Sequence, residues 1–206
     1  MKVEQKRKPY RSKLRDAAVE ETRERVIAAT RRLLAGGQGT LSFSLDAVAR
    51  AAGVTRLTVY NQFESKRGLL EAVFNSIARE GGLLELRTTV AERDLRGGLR
   101  RVVSIMCRFW DSHSRVVPRL LAFARLDDEI AETMRQGLEG RRSLLQTLVG
   151  RFSDGRPTAD LVDILFALTS FELHELLRVG NRSGRKVESL IQELVTDAVR
   201  RHLGAT

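Results

Sequence analysis

The chain has 206 residues, 42% of them hydrophobic and 30% charged, and carries a formal net charge of +10. That length allows one or two domains with a substantial core, and a single cysteine, Cys107, excludes an internal disulfide. No apolar run approaches the ~20 residues of a membrane-spanning helix, and the charged N-terminus lacks the apolar stretch of a signal peptide, so no membrane partner and a reducing, cytoplasmic location are expected.

The positive charge is unevenly spread. Residues 1–80 hold 16 Lys and Arg against 9 Asp and Glu, whereas residues 81–206 hold 20 against 17. Contact with a polyanion is therefore expected from the first half. Few segments alternate as strands do, and only three prolines interrupt long patterns of period 3.6, which predicts an all-α protein.

Residues 1–16 bring Lys2, Lys6, Arg7, Lys8, Arg11, Lys13 and Arg15 against Glu4 and Asp16, with Pro9 and no apolar period. Such a stretch reads as a basic flexible arm, disordered when free. It is either a solvated tail or an arm that touches the phosphates or the minor groove of a duplex. A helix is predicted from Ala17 to Ala35, with Val19, Val26 and Leu33 repeating at seven, Ile27 and Leu34 beside them, and Gly36-Gly37 as its stop. Residues 38–43 read as a loop.

Ser44 to Lys66, SLDAVARAAGVTRLTVYNQFESK, reads as helix, tight turn, helix. The Ser44 hydroxyl can cap the first helix, Asp46 suits its first turn, and Leu45, Val48, Ala49 and Ala52 share one face. Gly53 ends that helix, and Thr55 caps the next two residues later. Val59 and Phe63, four apart, point inward and leave Arg56, Leu57, Thr58, Asn61 and Gln62 outward. Two helices joined by such a turn form a helix-turn-helix, whose second helix enters the major groove. A further helix, about Ser65 to Arg79, sets Lys66 in its first turn, where free amides and an ammonium make a phosphate seat. Gly81-Gly82 then marks a loose junction.

Five helices are predicted beyond it: Asp94 to His113, a short one after Pro118, one from Asp127 or Asp128 to about Phe152, a long one from Pro157 through Leu177, and Lys186 to Leu203. The last two have apolar faces too broad for a monomer to cover.

Ala-Gly-Val-Thr, then Thr-Val-Tyr-Asn-Gln-Phe, then Ser-Lys-Arg-Gly-Leu-Leu resembles the DNA-binding domain of the tetracycline-repressor (TetR) family, over about Ala17 to Ala78. The resemblance implies a three-helix DNA-binding domain over residues 17–80 and a helical effector-binding and dimerisation domain over residues 83–206. It implies phosphate contacts from Ser44, Thr55, Tyr60 and Lys66, and base contacts from Arg56, Leu57, Thr58 and Asn61. Arg can fork onto guanine O6 and N7, while Leu57 and Thr58 can meet a thymine methyl. Leu57 departs from the family, which usually has a small residue there. The resemblance further implies a homodimer through the last two helices, bound to a palindromic operator as a transcriptional regulator.

No enzyme is expected. His113, His174 and His202 fall in no metal-ligand spacing, the glycines form no phosphate loop, and no nucleophile–base pair stands out, so neither a metal nor a cofactor is predicted. Met106, Phe109, Trp110, His113, Leu121, Phe123, Phe166, Phe171 and His174 are expected to line a mostly apolar pocket for a small aromatic or lipophilic effector. The full expectation is a repressor released by that effector. The alternatives are a regulator without a ligand, an activator, or a basic helical scaffold that binds nucleic acid without sequence choice.

Overall fold

The computed structural model describes residues 8–36 and 43–204. Among these, every regular element is helical and none is a strand. The chain divides into two compact units, Met1–Phe74 and Asn75–Thr206. Residues 1–7 of the basic arm and residues 37–42 of the expected loop lie outside the described residues.

The first unit holds α1 (Lys8–Ala35), α2 (Leu45–Ala52), α3 (Arg56–Phe63) and the first part of α4 (Lys66–Glu80). Helix α1 starts at Lys8 rather than Ala17. Pro9 does not prevent this, because the first helical turn needs no amide donors and accepts the fixed φ of proline. The buried apolar residues of α1 lie between Val26 and Leu34, where it packs on α2. Val19, one heptad earlier, falls before that stretch and is 50% exposed, so it is not core. Val48, Ala49, Val59, Phe63, Leu69, Leu70 and Val73 close the core from the other helices. Thr30 is fully buried within it, its hydroxyl satisfied by the Val26 carbonyl at 2.8 Å.

The second unit opens with a 3₁₀ turn (Leu83–Glu85) and α5 (Leu86–Thr89), two short elements with no counterpart in the sequence reading. Then come α6 (Leu95–His113), α7 (Val117–Ala124), α8 (Asp128–Gly150), α9 (Ala159–Leu168), α10 (Phe171–Arg178) and α11 (Gly184–Leu203). Helix α6 packs on α11, and α8 packs on α7 and α9. Leu99, Val103, Met106 and Phe109 of α6 are buried in this core, as are Leu145 and Leu148 of α8, Leu161 and Leu165 of α9, and Ile191 and Val195 of α11. Asp94, Asp127 and Ser183 cap α6, α8 and α11 by accepting the amides of Gly97, Ile130 and Lys186. Cys107 is buried, and desolvation, with Glu188 and Asp111 adding, pushes its thiol up to about 12. It is therefore an inert core residue.

Two expectations fail here. The glycine junction is not loose: Gly81 is buried, and a Cβ there would stand 2.4 Å from Phe109 Cδ2, so the glycine is what lets that ring approach. The single long helix after Pro157 is two helices, α9 and α10, separated at Thr169–Ser170. The Ser170 hydroxyl accepts the Leu173 amide at 3.2 Å, the donor that the Thr169 carbonyl would hold in a continuous helix. That carbonyl instead accepts Trp110 Nε1 at 3.1 Å and Arg141 Nη1 at 2.6 Å. Two long-range hydrogen bonds to one oxygen replace one local one.

Candidate functional site

The helix-turn-helix is fixed by its caps. Ser44 Oγ accepts the Ala47 amide at 3.2 Å, and Gly53 closes α2 at φ 66°. Thr55 Oγ1 accepts the Thr58 amide at 3.1 Å and lies 2.8 Å from Thr58 Oγ1. Val59 and Phe63 anchor α3 in the core. Arg56, Leu57, Tyr60 and Asn61 recur at one and four residues, so they form one outward row, with Leu57 65% and Tyr60 55% exposed. Thr58, by contrast, is half-buried and its hydroxyl belongs to the cap, so only its methyl is left to present outward.

The flanks of α3 are braced by contacts the sequence reading did not name. Arg23 on α1 donates to the Gln62 carbonyl at 3.1 Å and stacks 4.6 Å over the Phe63 ring. Gln62 Nε2 donates to the Val19 carbonyl at 3.3 Å, so Gln62 turns back towards α1 rather than outward. Arg56 Nη1 lies 3.3 Å from Asp46 Oδ2 on α2, an exposed ion pair across the hairpin. At the start of α4, Ser65 Oγ accepts the Gly68 amide at 3.0 Å. A Cβ at Gly68 would stand 2.2 Å from the Phe63 carbonyl oxygen, so only glycine permits this tight turn from α3 to α4. Lys66 follows the cap directly, its Nζ 5.1 Å from the centroid of the Phe43 ring. Phe43 precedes the Ser44 cap, the position of a hydrophobic staple, and that spacing is the signal that could have marked it. Arg23 and Gln62 carry no such signal, because their contacts join residues about forty positions apart.

In the second unit, four of the nine expected effector residues form one aromatic cluster. The Phe109 ring lies 4.8 Å from Trp110 and 5.1 Å from His113, and Trp110 lies 5.6 Å from Phe171, all edge-on. Met106 and Phe123 are buried and Leu121 is half-buried, the last two on α7. His174 is buried with Nε2 3.4 Å from Asp111 Oδ1, and burial lowers its pKa against the opposing pull of Asp111. Phe166 sits half-buried beneath the guanidinium groups of Arg141 and Arg142, at 4.1 and 4.7 Å. An open groove of about 480 Å³ runs elsewhere, between α6 and α11. Its walls include Leu99, Val103, Val195 and Val199 with Arg96, Arg100 and Arg200, and none of the nine residues lines it. Among the described residues, no three His, Cys, Asp or Glu gather as a metal site, and no helix is long and apolar enough to cross a membrane.

Residues 26–73 match the family model for bacterial regulatory proteins of the tetR family. The chain is 45% identical over 60 residues to the HTH-type transcriptional regulator SrpR of Pseudomonas putida, a match covering 29% of this chain and 28% of that protein. The chain thus spans less than a third of that relative's length. Solved structures share the fold over nearly the whole chain. NalD of Pseudomonas aeruginosa aligns with a TM-score of 0.66 at 20% identity, covering 88% of this chain and 96% of its own. A TetR family transcription regulator from Marinobacter aquaeolei VT8 aligns with a TM-score of 0.66 at 22% identity, covering 90% and 97%. With the capped hairpin and its outward row of side chains, these matches show that residues 26–73 form a DNA-binding domain of the tetR type and that the chain shares the fold of solved regulators of that kind.

Proposed function

We propose that the chain is a homodimeric repressor that leaves a palindromic operator when a small lipophilic or aromatic effector binds its second unit. The observation that carries the DNA-reading part is the outward row on α3, held by two buried anchors and two caps. Arg56, Leu57 and Asn61 would meet base edges, with the Thr58 methyl beside them. Ser44, Thr55, Tyr60 and Lys66 would hold phosphates. Leu57, exposed and bulky, suits a thymine methyl. The fixed caps matter because a few well-aimed side chains discriminate only if the helix that carries them does not rock.

The outward apolar side chains of the last helices support the dimer. Leu176 on α10 is 68% exposed and Leu194 on α11 is 43% exposed, with Ile164 and Val179 also outward. A two-fold copy covering these faces would give paired heads, and paired heads read half-sites in successive major grooves. NalD is described as the secondary repressor of a multidrug efflux pump, and that role agrees with a repressor reading here. Release would follow from linkage: an effector that favours heads set at the wrong spacing weakens operator binding by the factor with which DNA weakens the effector. The protein would act in the cytoplasm, where its DNA lies.

Selection of bound duplexes from a random pool tests the reading. A two-fold symmetric site should emerge, and its complex should survive excess random DNA. Sedimentation should give about twice the 23.1 kDa chain mass. Recovery of no common sequence would leave a non-specific scaffold as the reading, and a monomer would remove the dimer and the palindrome together.

A further inference from the structure

Arg141, on α8, is 7% exposed, too deep for an ordinary arginine. Its neutralisation is incomplete. Nη1 donates to the Thr169 carbonyl at 2.6 Å, and the guanidinium stacks 4.1 Å from the centroid of the Phe166 ring. Among the described residues it forms no ion pair, and its buried Nε has no hydrogen-bond partner. Burial lowers its pKa to about 10, the field of Glu172 works against that shift, and Arg142 adds to it. Arg142 itself is matched by Asp163, so that carboxylate is already engaged.

A guanidinium has five donors in a fixed fork, and its Nε–Nη2 edge matches the two oxygens of a carboxylate. In Arg141 the end-on Nη1 is occupied and the Nε edge is left over. A buried cation without a counter-anion is costly, and the cost is relieved by an anion with good geometry. The surroundings fix the rest of the ligand. Thr169 O holds Arg141 and Trp110 at once, and Trp110 continues into the Phe109, His113 and Phe171 rings.

We infer that Arg141 is the anion seat of the second unit, taking the carboxylate of a small lipophilic acid whose apolar body lies against the Trp110 cluster. The inference rests on the effector reading above and narrows it from lipophilic molecules in general to lipophilic anions. A purely structural Arg141 would only pin α8 to the break between α9 and α10.

The test uses the full chain and matched probes, straight-chain acids of about six to twelve carbons and the corresponding primary alcohols, followed by Trp110 fluorescence, the chain's single tryptophan. The acid should bind at least about tenfold tighter than its alcohol, the scale of a charge-assisted bidentate contact. In Arg141→Met the preference should fall to about onefold while the alcohol keeps its affinity. Arg141→Lys, which keeps the charge but loses the planar fork, should hold the fold and show an intermediate preference. Equal binding of acid and alcohol to the native protein, or a preference that survives Arg141→Met or is undiminished in Arg141→Lys, overturns the anion seat and leaves the proposal of a lipophilic effector standing. Saturable binding of neither series overturns the seat and removes the support for a lipophilic effector as well.

Discussion

Replacing Arg56 by alanine tests the proposed division between residues that read bases and residues that hold phosphates. The Arg56 side chain is 67% exposed, and its Nη1 lies 3.3 Å from Asp46 Oδ2. An exposed pair of this kind is worth about 0–1 kcal/mol, and physiological salt screens it further. A bidentate contact from arginine to guanine is worth about 1–3 kcal/mol against the wrong base. Arg56 can therefore leave Asp46 for a base and retain a net gain of about 1–2 kcal/mol. Arg56→Ala should weaken a selected duplex about 5- to 30-fold and a scrambled duplex of equal length far less. Asp46→Ala, which frees the arginine beforehand, should tighten the selected duplex by no more than about fivefold. Fluorescence anisotropy with both duplexes at one fixed salt concentration measures all four ratios. Equal losses on the two duplexes for Arg56→Ala would refute its role as a reader. A clear loss for Asp46→Ala would show instead that the ion pair persists in the complex and aims the guanidinium.

Lys66→Ala should weaken both duplexes by the same factor and flatten the dependence of log K on log salt by about 0.9, the signature of one lost phosphate contact; a loss confined to the selected duplex would refute the phosphate seat. Gly68→Ala forces a Cβ against the Phe63 carbonyl and should cost about 1–3 kcal/mol by urea unfolding; an unchanged midpoint would show that the α3–α4 turn yields freely. The lowered pKa of His174 means that the unfolded chain takes up a proton near about pH 6.5 while the folded chain resists it, so stability should fall as pH drops through that region. In His174→Gln the urea midpoint should change less between about pH 7.5 and about pH 5.5; parallel profiles would show that His174 does not carry the effect.

The first unit was legible because its determinants are local. A cap, a glycine and two apolar residues four apart define each turn of the hairpin, and all lie within about twenty residues. Ser44, Gly53, Thr55, Val59 and Phe63 accordingly take the places that their chemistry requires. What escaped was non-local. Asp46 reaches Arg56 across a turn, Arg23 reaches Phe63 from another helix, and Phe43 lies under Lys66. Periodicity assigns a side chain to a face but does not name its partner. It also overextends: Val19 keeps the heptad of α1 but lies before the stretch that is covered, and so stays exposed. Likewise Pro9 and a basic composition suggested a disordered arm up to residue 16, whereas helical continuation needs only that proline occupy the first turn.

The break at Thr169–Ser170 shows how a local ambiguity is resolved by tertiary demand. Thr169 and Ser170 both tolerate a helix, and nothing in the apolar pattern from Leu161 to Leu177 interrupts it. Both side chains can also satisfy backbone groups themselves, so the competing local states are close in energy. Thr169 Oγ1 donates to the Leu165 carbonyl at 2.9 Å, and the Ser170 hydroxyl takes up the Leu173 amide. With its local donor gone, the Thr169 carbonyl would be a buried acceptor without a partner, at about 1–3 kcal/mol. Trp110 Nε1 and Arg141 Nη1 remove that penalty, and each needs the acceptor as much as it needs them, because a buried indole N–H and a buried guanidinium are themselves costly when unpaired. The helix break, the buried tryptophan and the buried arginine are thus one device. Removing the arginine leaves the tryptophan hydrogen bond in place, whereas restoring a continuous helix would strand both donors. Any ligand that engages Arg141 acts on the same oxygen that holds Trp110, and so acts on the joint between α9 and α10.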